Sequence, residues 1–149
     1  MKKILLAVDG SDRSKKAAKE AVKLAKSLEA HISLMTVVTP NYSYNVESMN
    51  ITNAEMSVAK MNEIKNEKLK EGKKIIKEVE EFLEKENLNF AKKVYEGNPA
   101  EKICQIAEEE NYDLIVVADK GLGAIKRFFL GSISDKVVRH AKTSVLVVK

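Results

Sequence analysis

Leu114-Ile115-Val116-Val117-Ala118-Asp119-Lys120-Gly121 is a five-residue apolar run that breaks at an acid, a lysine and a glycine, and after nine intervening residues Gly131-Ser132-Ile133-Ser134 opens a second regular segment. A continuous apolar run of that length fits a parallel strand covered on both faces. After Gly131, the residues Ile133, Val137, Val138 and Ala141 recur at three- and four-residue steps, which predicts a helix with those four side chains inward. Strand, glycine-punctuated loop and helix opening on Gly-Ser is how α/β proteins hold phosphate. The first amides of a helix lack intrahelical acceptors, and the helix dipole adds partial positive charge where they point. The segment therefore points to a nucleotide or another phosphorylated ligand. Gly121 and Gly123 would relieve the cost of positive φ, Gly131 would let backbone approach a phosphate, and the hydroxyls of Ser132 and Ser134 would add donors. Taken one by one, these residues could equally make a turn and cap a helix. The strand before them and the helix after them are the context that a phosphate site requires.

Working outward, the same alternation recurs to the start of the chain. Ile4 to Val8 is a second short apolar run, ending at Asp9-Gly10-Ser11-Asp12, where Ser11 is suited to cap a helix carrying Ala18, Ala21, Val22, Ala25 and Leu28 on one stripe. Ile32 to Val38 is rich in β-branched residues and stops at Thr39-Pro40, as a strand would. Asn41 to Asn53 has no period and reads as a loop. From Ala54 to Lys85 the pattern is helical, with Ile75, Ile76, Val79, Phe82 and Leu83 marking its buried side and Gly72 as a possible irregularity. Phe90, Lys92 and Val94 alternate as a third strand. Gly97-Asn98-Pro99 opens a helix through Ile103, Ile106 and Ala107, with Pro99 in its first turn. Ser144 to Val148 is the fifth strand. Five strands alternating with four helices specify a single doubly wound α/β domain, residues 1–149, with a parallel sheet and helices on both faces. In such sheets a ligand lies beyond the carboxyl ends of the strands, where strand order reverses. Asp9 and the loop from Asp119 to Gly131 both fall at that end.

Composition narrows the functional class. At 149 residues, 44% hydrophobic and 32% charged, the chain is that of one soluble globular domain. The net charge of +4 comes mostly from lysines interleaved with glutamates at helical spacing. That is the pattern of solvated helix faces, and no motif for nucleic acid accompanies it. No run approaches the roughly 20 apolar residues of a membrane span, and Ile4 to Val8 is too short for a secretory signal. A cytoplasmic protein without nucleic-acid or membrane partners is expected. The single cysteine, Cys104, leaves no disulfide within the chain and reads as a packed helix residue. His31 and His140 have no nearby second ligand that would argue for a metal. The phosphate loop Gly-x-x-x-x-Gly-Lys-Ser/Thr is absent, and Asp9 is the one acid clearly at the ligand end, so efficient phosphoryl transfer is not expected.

Asp9-Gly10-Ser11, Gly97-Asn98-Pro99-Ala100-Glu101, Asp113 to Val117, Gly121-Leu122-Gly123, Leu130 to Ser134, Arg139-His140-Ala141 and Ser144 to Val148 together resemble the universal stress protein family. The resemblance covers essentially the whole chain and is weakest from Asn41 to about Lys70. It implies an adenine nucleotide α hydrolase-like sheet of strand order 3-2-1-4-5. It also implies ATP with Mg²⁺ as ligand, and a homodimer formed by antiparallel pairing of the final strands, Val145 to Val148. By the same resemblance Asp9 would lie near the ribose or a phosphate-bound metal, reached through water or phosphate. The backbone of Val37 would contact adenine, and Gly121, Gly131, Ser132 and Ser134 would hold phosphates. Lys120 reads equally as a phosphate contact or a solvated loop charge, while Lys126 and Arg127 read as solvated.

One position departs from the family pattern. ATP-binding members carry a glycine, two residues, a second glycine, nine residues, and a glycine with serine or threonine; here the first position is Ala118. If that residue is extended, alanine adds one methyl and the site survives. If it needs positive φ, alanine costs about 1 kcal/mol or more and reshapes the loop. Three functions stay open. The first is an ATP-holding stress-response regulatory module, with little or slow hydrolysis and an unidentified protein partner. The second is a dimeric interaction protein of the same fold without nucleotide. The third is an enzyme splitting ATP between its α and β phosphates. Enzymes of that third kind place Ser-Gly-Gly-x-Asp-Ser after the first strand, where this chain has Asp9-Gly10-Ser11-Asp12-Arg13-Ser14.

Overall fold

Ile4, Leu5 and Leu6 are each at most 1% exposed, and so are Ile115 and Val116. This is what short apolar runs become when helices cover both faces of a parallel sheet. The computed structural model describes residues 2–41, 54–122 and 130–149, with 54–56 by backbone alone. The elements follow in the order β1 (Lys3–Ala7), α1 (Asp12–Leu28), β2 (His31–Val38), α2 (Ala54–Lys85), β3 (Phe90–Glu96), α3 (Pro99–Glu109), β4 (Leu114–Ala118), α4 (Ser132–His140) and β5 (Ser144–Val148). The five strands form one sheet in the order β3-β2-β1-β4-β5, and every neighbouring pair is parallel. The doubly wound reading of the sequence is thus the observed fold, strand order included.

Two apolar layers sandwich the sheet. On one face α1 contributes Ala17, Ala18, Ala21, Val22 and Ala25 while α2 contributes Ile76, Val79 and Leu83. On the other, α3 contributes Ala100, Ile103, Ile106 and Ala107, and α4 contributes Val137. The cap expected at Ser11 is present, and Asn98, not singled out as a cap, caps α3. Ser11 Oγ accepts from the Ser14 amide at 3.1 Å, and Asn98 Oδ1 accepts from the Glu101 amide at 3.3 Å. Among the described residues no helix is long and apolar enough to cross a membrane.

Three local expectations are corrected. Of the four α4 side chains expected inward, Val137 is fully buried and Ala141 is partly covered, but Ile133 and Val138 are 37% and 45% exposed. The helix packs at the margin of the sheet against α3 and β5 and buries a narrow face, Ser134 and Val137. Leu28, in the last turn of α1, is likewise largely exposed. The irregularity expected at Gly72 does not occur, because α2 runs through it unbroken. A Cβ there would lie 2.6 Å from Val94 Cγ1 and 2.8 Å from Val38 Cγ1, so the glycine lets α2 settle onto the ends of β2 and β3. The loop from Asn41 to Asn53 lies outside the described residues, Asn41 aside.

Candidate functional site

Parallel strands order the site by parity. The Val8 amide donates to the Met35 carbonyl at 2.9 Å, so Met35 faces β1, while Val38 faces β3 through its carbonyl, which accepts from the Gly97 amide at 3.0 Å. Alternation turns the amide and carbonyl of Val37 back toward β1, but β1 pairs with β2 only as far as Ala7 and Met35. The Val37 backbone therefore points past the end of β1, into a cleft of about 820 Å³. That volume lies within the range of about 300–1,000 Å³ usual for ligand sites.

The cleft opens over the carboxyl ends of β1, β2 and β4. Thr36, Val37 and Val38 line it from β2; Lys68, Glu71 and Ile75 from α2; Pro99 and Ile103 from α3; and Gly131, Ser132 and Ser134 from the start of α4. Asp9, Val37, Ala118, Lys120, Gly121, Gly131, Ser132 and Ser134, all singled out from the sequence, line this one cleft. Lys120 is 7% exposed. That is more buried than a solvated loop charge would be. Gly123, Lys126 and Arg127 lie outside the described residues.

Ala118 is the last residue of β4 and pairs in register with Val148. Among the described non-glycine residues, positive φ occurs only at Glu29, Asn87 and Asn111. Of the two consequences foreseen for alanine, the extended one applies: it adds a methyl to the cleft wall without backbone strain.

Gly121 is a correction of a different kind. Positive φ falls at Gly10 and Gly97, not at Gly121. Its lack of a side chain is required by the approach of Asp9, whose Oδ2 would lie 2.3 Å from a Cβ. Asp9 Oδ1 accepts from the Ser11 amide at 3.0 Å, and Oδ2 accepts from the Leu122 amide at 2.9 Å. The carboxylate thus ties the turn after β1 to the turn after β4.

At the start of α4, Gly131 supplies no side-chain cap. The helix therefore presents its first amides to the cleft without the side-chain acceptor that Ser11 and Asn98 provide to α1 and α3. Two groups expected to face phosphate are engaged with the protein. The Gly131 amide and the Ser134 hydroxyl each donate to the Asp119 carbonyl at 2.7 Å. A Cβ on Gly131 would lie 3.1 Å from Lys120 Cα, so its close approach is to the Lys120 backbone.

Sequence reading missed three residues here. Ser14, 1% exposed, lines the cleft and donates its hydroxyl to the Ser11 carbonyl at 2.8 Å. Its position three residues after the cap was a usable signal. Arg13 Nη1 lies 2.6 Å from both carboxylate oxygens of Asp119. Nothing in the spacing announces that pair, 106 positions apart. Among the described residues, no group of three or more His, Cys, Asp or Glu side chains could hold a metal ion. Cys104 is partly buried in α3, and desolvation pushes its thiol pKa up, as for a packing residue.

The universal stress protein family profile matches residues 1–149. A universal stress protein of Methanocaldococcus jannaschii is 34% identical over 148 residues, covering 99% of this chain and 82% of its own. The solved universal stress protein UspA of Lactobacillus plantarum superposes with a TM-score of 0.82 at 25% identity, covering 99% of this chain and 97% of its own. A universal stress protein solved in complex with cAMP superposes with a TM-score of 0.69 at 24% identity, covering 99% of this chain and 97% of its own.

Proposed function

The chain belongs to the universal stress protein family, and from that premise we propose that it is a regulatory module that binds ATP in the cleft at the carboxyl end of the sheet and hydrolyses it slowly or not at all. The observation that carries the reading is the uncapped N-terminus of α4, whose first amides face the same cleft as the Val37 backbone and the buried Lys120. An anion there contributes about 0.3–1 kcal/mol through the helix terminus alone. Val37 supplies a donor and an acceptor side by side, the pattern that an adenine edge complements. A protein of the same fold has been solved with the adenine nucleotide cAMP. Phosphates would meet Gly121, Ser132 and Lys120, with Ser134 supporting the turn. Mg²⁺ would be held by phosphate oxygens and water, with Asp9 reached through them, since hard divalent ions accept such mixed shells. Among the described residues the carboxylates lining the cleft are Asp9 and Glu71, on opposite elements, and the proposed role is binding rather than turnover.

The second reading is a dimeric interaction protein without nucleotide. It is favoured by the engagement of the Gly131 amide and the Ser134 hydroxyl with Asp119. Titration calorimetry with ATP and Mg²⁺ separates the two. Saturable binding in the micromolar range is expected, and no heat at millimolar ATP leaves the second reading standing. In both readings the assembly is a homodimer in the cytoplasm, paired through β5, an edge strand of partly exposed valines and leucine that a second copy would cover.

A further inference from the structure

Asp119 is tied into the site through its amide, its carbonyl and its carboxylate. Its amide donates to the Val148 carbonyl at 2.8 Å, its carbonyl accepts from the Gly131 amide and the Ser134 hydroxyl, and its carboxylate meets Arg13 from the first turn of α1. The carboxylate is almost enclosed, at 10% side-chain exposure, whereas Arg13 is 45% exposed. Asp119 itself is absent from the cleft wall, but its neighbours Ala118 and Lys120 both form part of it. Adjacent residues are about 3.8 Å apart along the chain. That step is short against the screening length of about 8 Å, so a charge at Asp119 is felt at the adjoining stretch of the cleft wall. An unbalanced negative charge so placed would repel a polyphosphate.

We propose that Arg13 and Asp119 are a specificity-determining pair. Arg13 balances the buried carboxylate behind the phosphate end of the cleft, and this balance sets how strongly the site prefers ATP over a ligand with fewer phosphates. The inference rests on the nucleotide reading above. It explains why a buried acid is tolerated one residue from a wall built for an anion, and it gives Arg13 a role although it does not line the cleft. A purely structural brace would act on all ligands alike and would be weakened by removing either partner.

The test is the ratio of ATP to AMP affinity, measured by titration calorimetry with Mg²⁺ on the full chain. Arg13→Met leaves the acid uncompensated and should lower the ratio roughly thirtyfold, the size expected of one like charge about 8 Å away at an effective dielectric of about 20. Asp119→Asn leaves the cation uncompensated and should raise the ratio. The double variant should return within about threefold of the parent. Opposite signs are the signature. Equal losses for ATP and AMP, or a ratio falling in both single variants, would overturn the pair's role. Should Arg13→Met not fold, Asp119→Asn alone decides, since an unchanged or lowered ratio in it is also a refutation. If the parent protein binds neither nucleotide, the nucleotide reading fails and this inference with it. If the parent binds both and only the signs are wrong, the nucleotide reading survives without it.

Discussion

Asp9 Oδ2 accepts a hydrogen bond from the Leu122 amide at 2.9 Å across 113 positions of sequence. This bond draws the turn after β4 against the turn after β1, leaving no room for a side chain at Gly121. Gly121→Ala would press a methyl onto the carboxylate, at a cost of about 1–3 kcal/mol typical of overpacking. Melting should fall by about 2–4 °C for each kcal/mol in a chain of this size, and ATP affinity should drop as the turn moves. A variant that melts and binds like the parent would show that the turn relaxes freely.

Gly72→Ala sets two effects against each other. Helix propensity favours alanine by about 1 kcal/mol in a helix interior. Against it, the new Cβ would meet Val94 Cγ1 at 2.6 Å and Val38 Cγ1 at 2.8 Å, branched side chains held on β3 and β2, the second of them buried. Overpacking should win, and urea unfolding should give a lower midpoint. A raised midpoint would mean that α2 lifts off the sheet without cost.

Restoring the family's glycine with Ala118→Gly should do little for binding. The residue is extended in β4, so glycine brings no needed freedom and costs about 0.5–1 kcal/mol of strand stability. ATP affinity is expected to stay within about threefold, with a slightly lower Tm. A gain in affinity of an order of magnitude would mean that the methyl of Ala118 obstructs the ligand.

The dimer proposed above depends on backbone groups of β5. Val147→Pro removes an amide and cannot join an added ladder. Light scattering should then report monomer or aggregate, and an intact dimer would place the interface elsewhere. Because Val147 also pairs with Val117 inside the sheet, circular dichroism on the same sample should confirm that the fold persists.

Asp113 gives the acid limb of stability a specific contributor. Its Oδ2 accepts from the amides of Lys2 at 2.6 Å and Lys3 at 2.9 Å, and these bonds hold its carboxyl below its ordinary pKa. A depressed carboxyl stabilises the fold above the unfolded pKa, and the contribution is lost as pH falls through the folded value. The Tm difference between the parent and Asp113→Asn should be present at pH 7 and close as the solution is acidified through the carboxylate range. Carbon-13 titration should find Asp113 below a freely exposed aspartate.

How much of the site was legible in sequence divides along a physical line. The cap at Ser11, the strand ends and the placement of Asp9 beside the loop after β4 all follow from contacts within four residues or from the order of elements. The role of Lys120 was open, because burial depends on what the rest of the chain lays over it. Gly121 was singled out for positive φ, whereas what requires a glycine there is the Asp9 carboxylate that crowds it. Ile133 and Val138 fit a helical stripe, yet the stripe is wider than the face that α4 has available to bury.

By itself the sequence determined the alternation of five strands and four helices, and with it the parallel sheet, since periodicity and capping are local and crossovers have one hand. It also determined that a glycine-serine helix start would stand at the carboxyl end of that sheet. Only the tertiary structure decided which groups there are already engaged. The Asp9 bond to Leu122, the Arg13 ion pair with Asp119 and the seating of Gly72 on Val38 and Val94 join positions that no periodicity relates. Such contacts depend on how close two packed elements come, a distance set by every side chain between them.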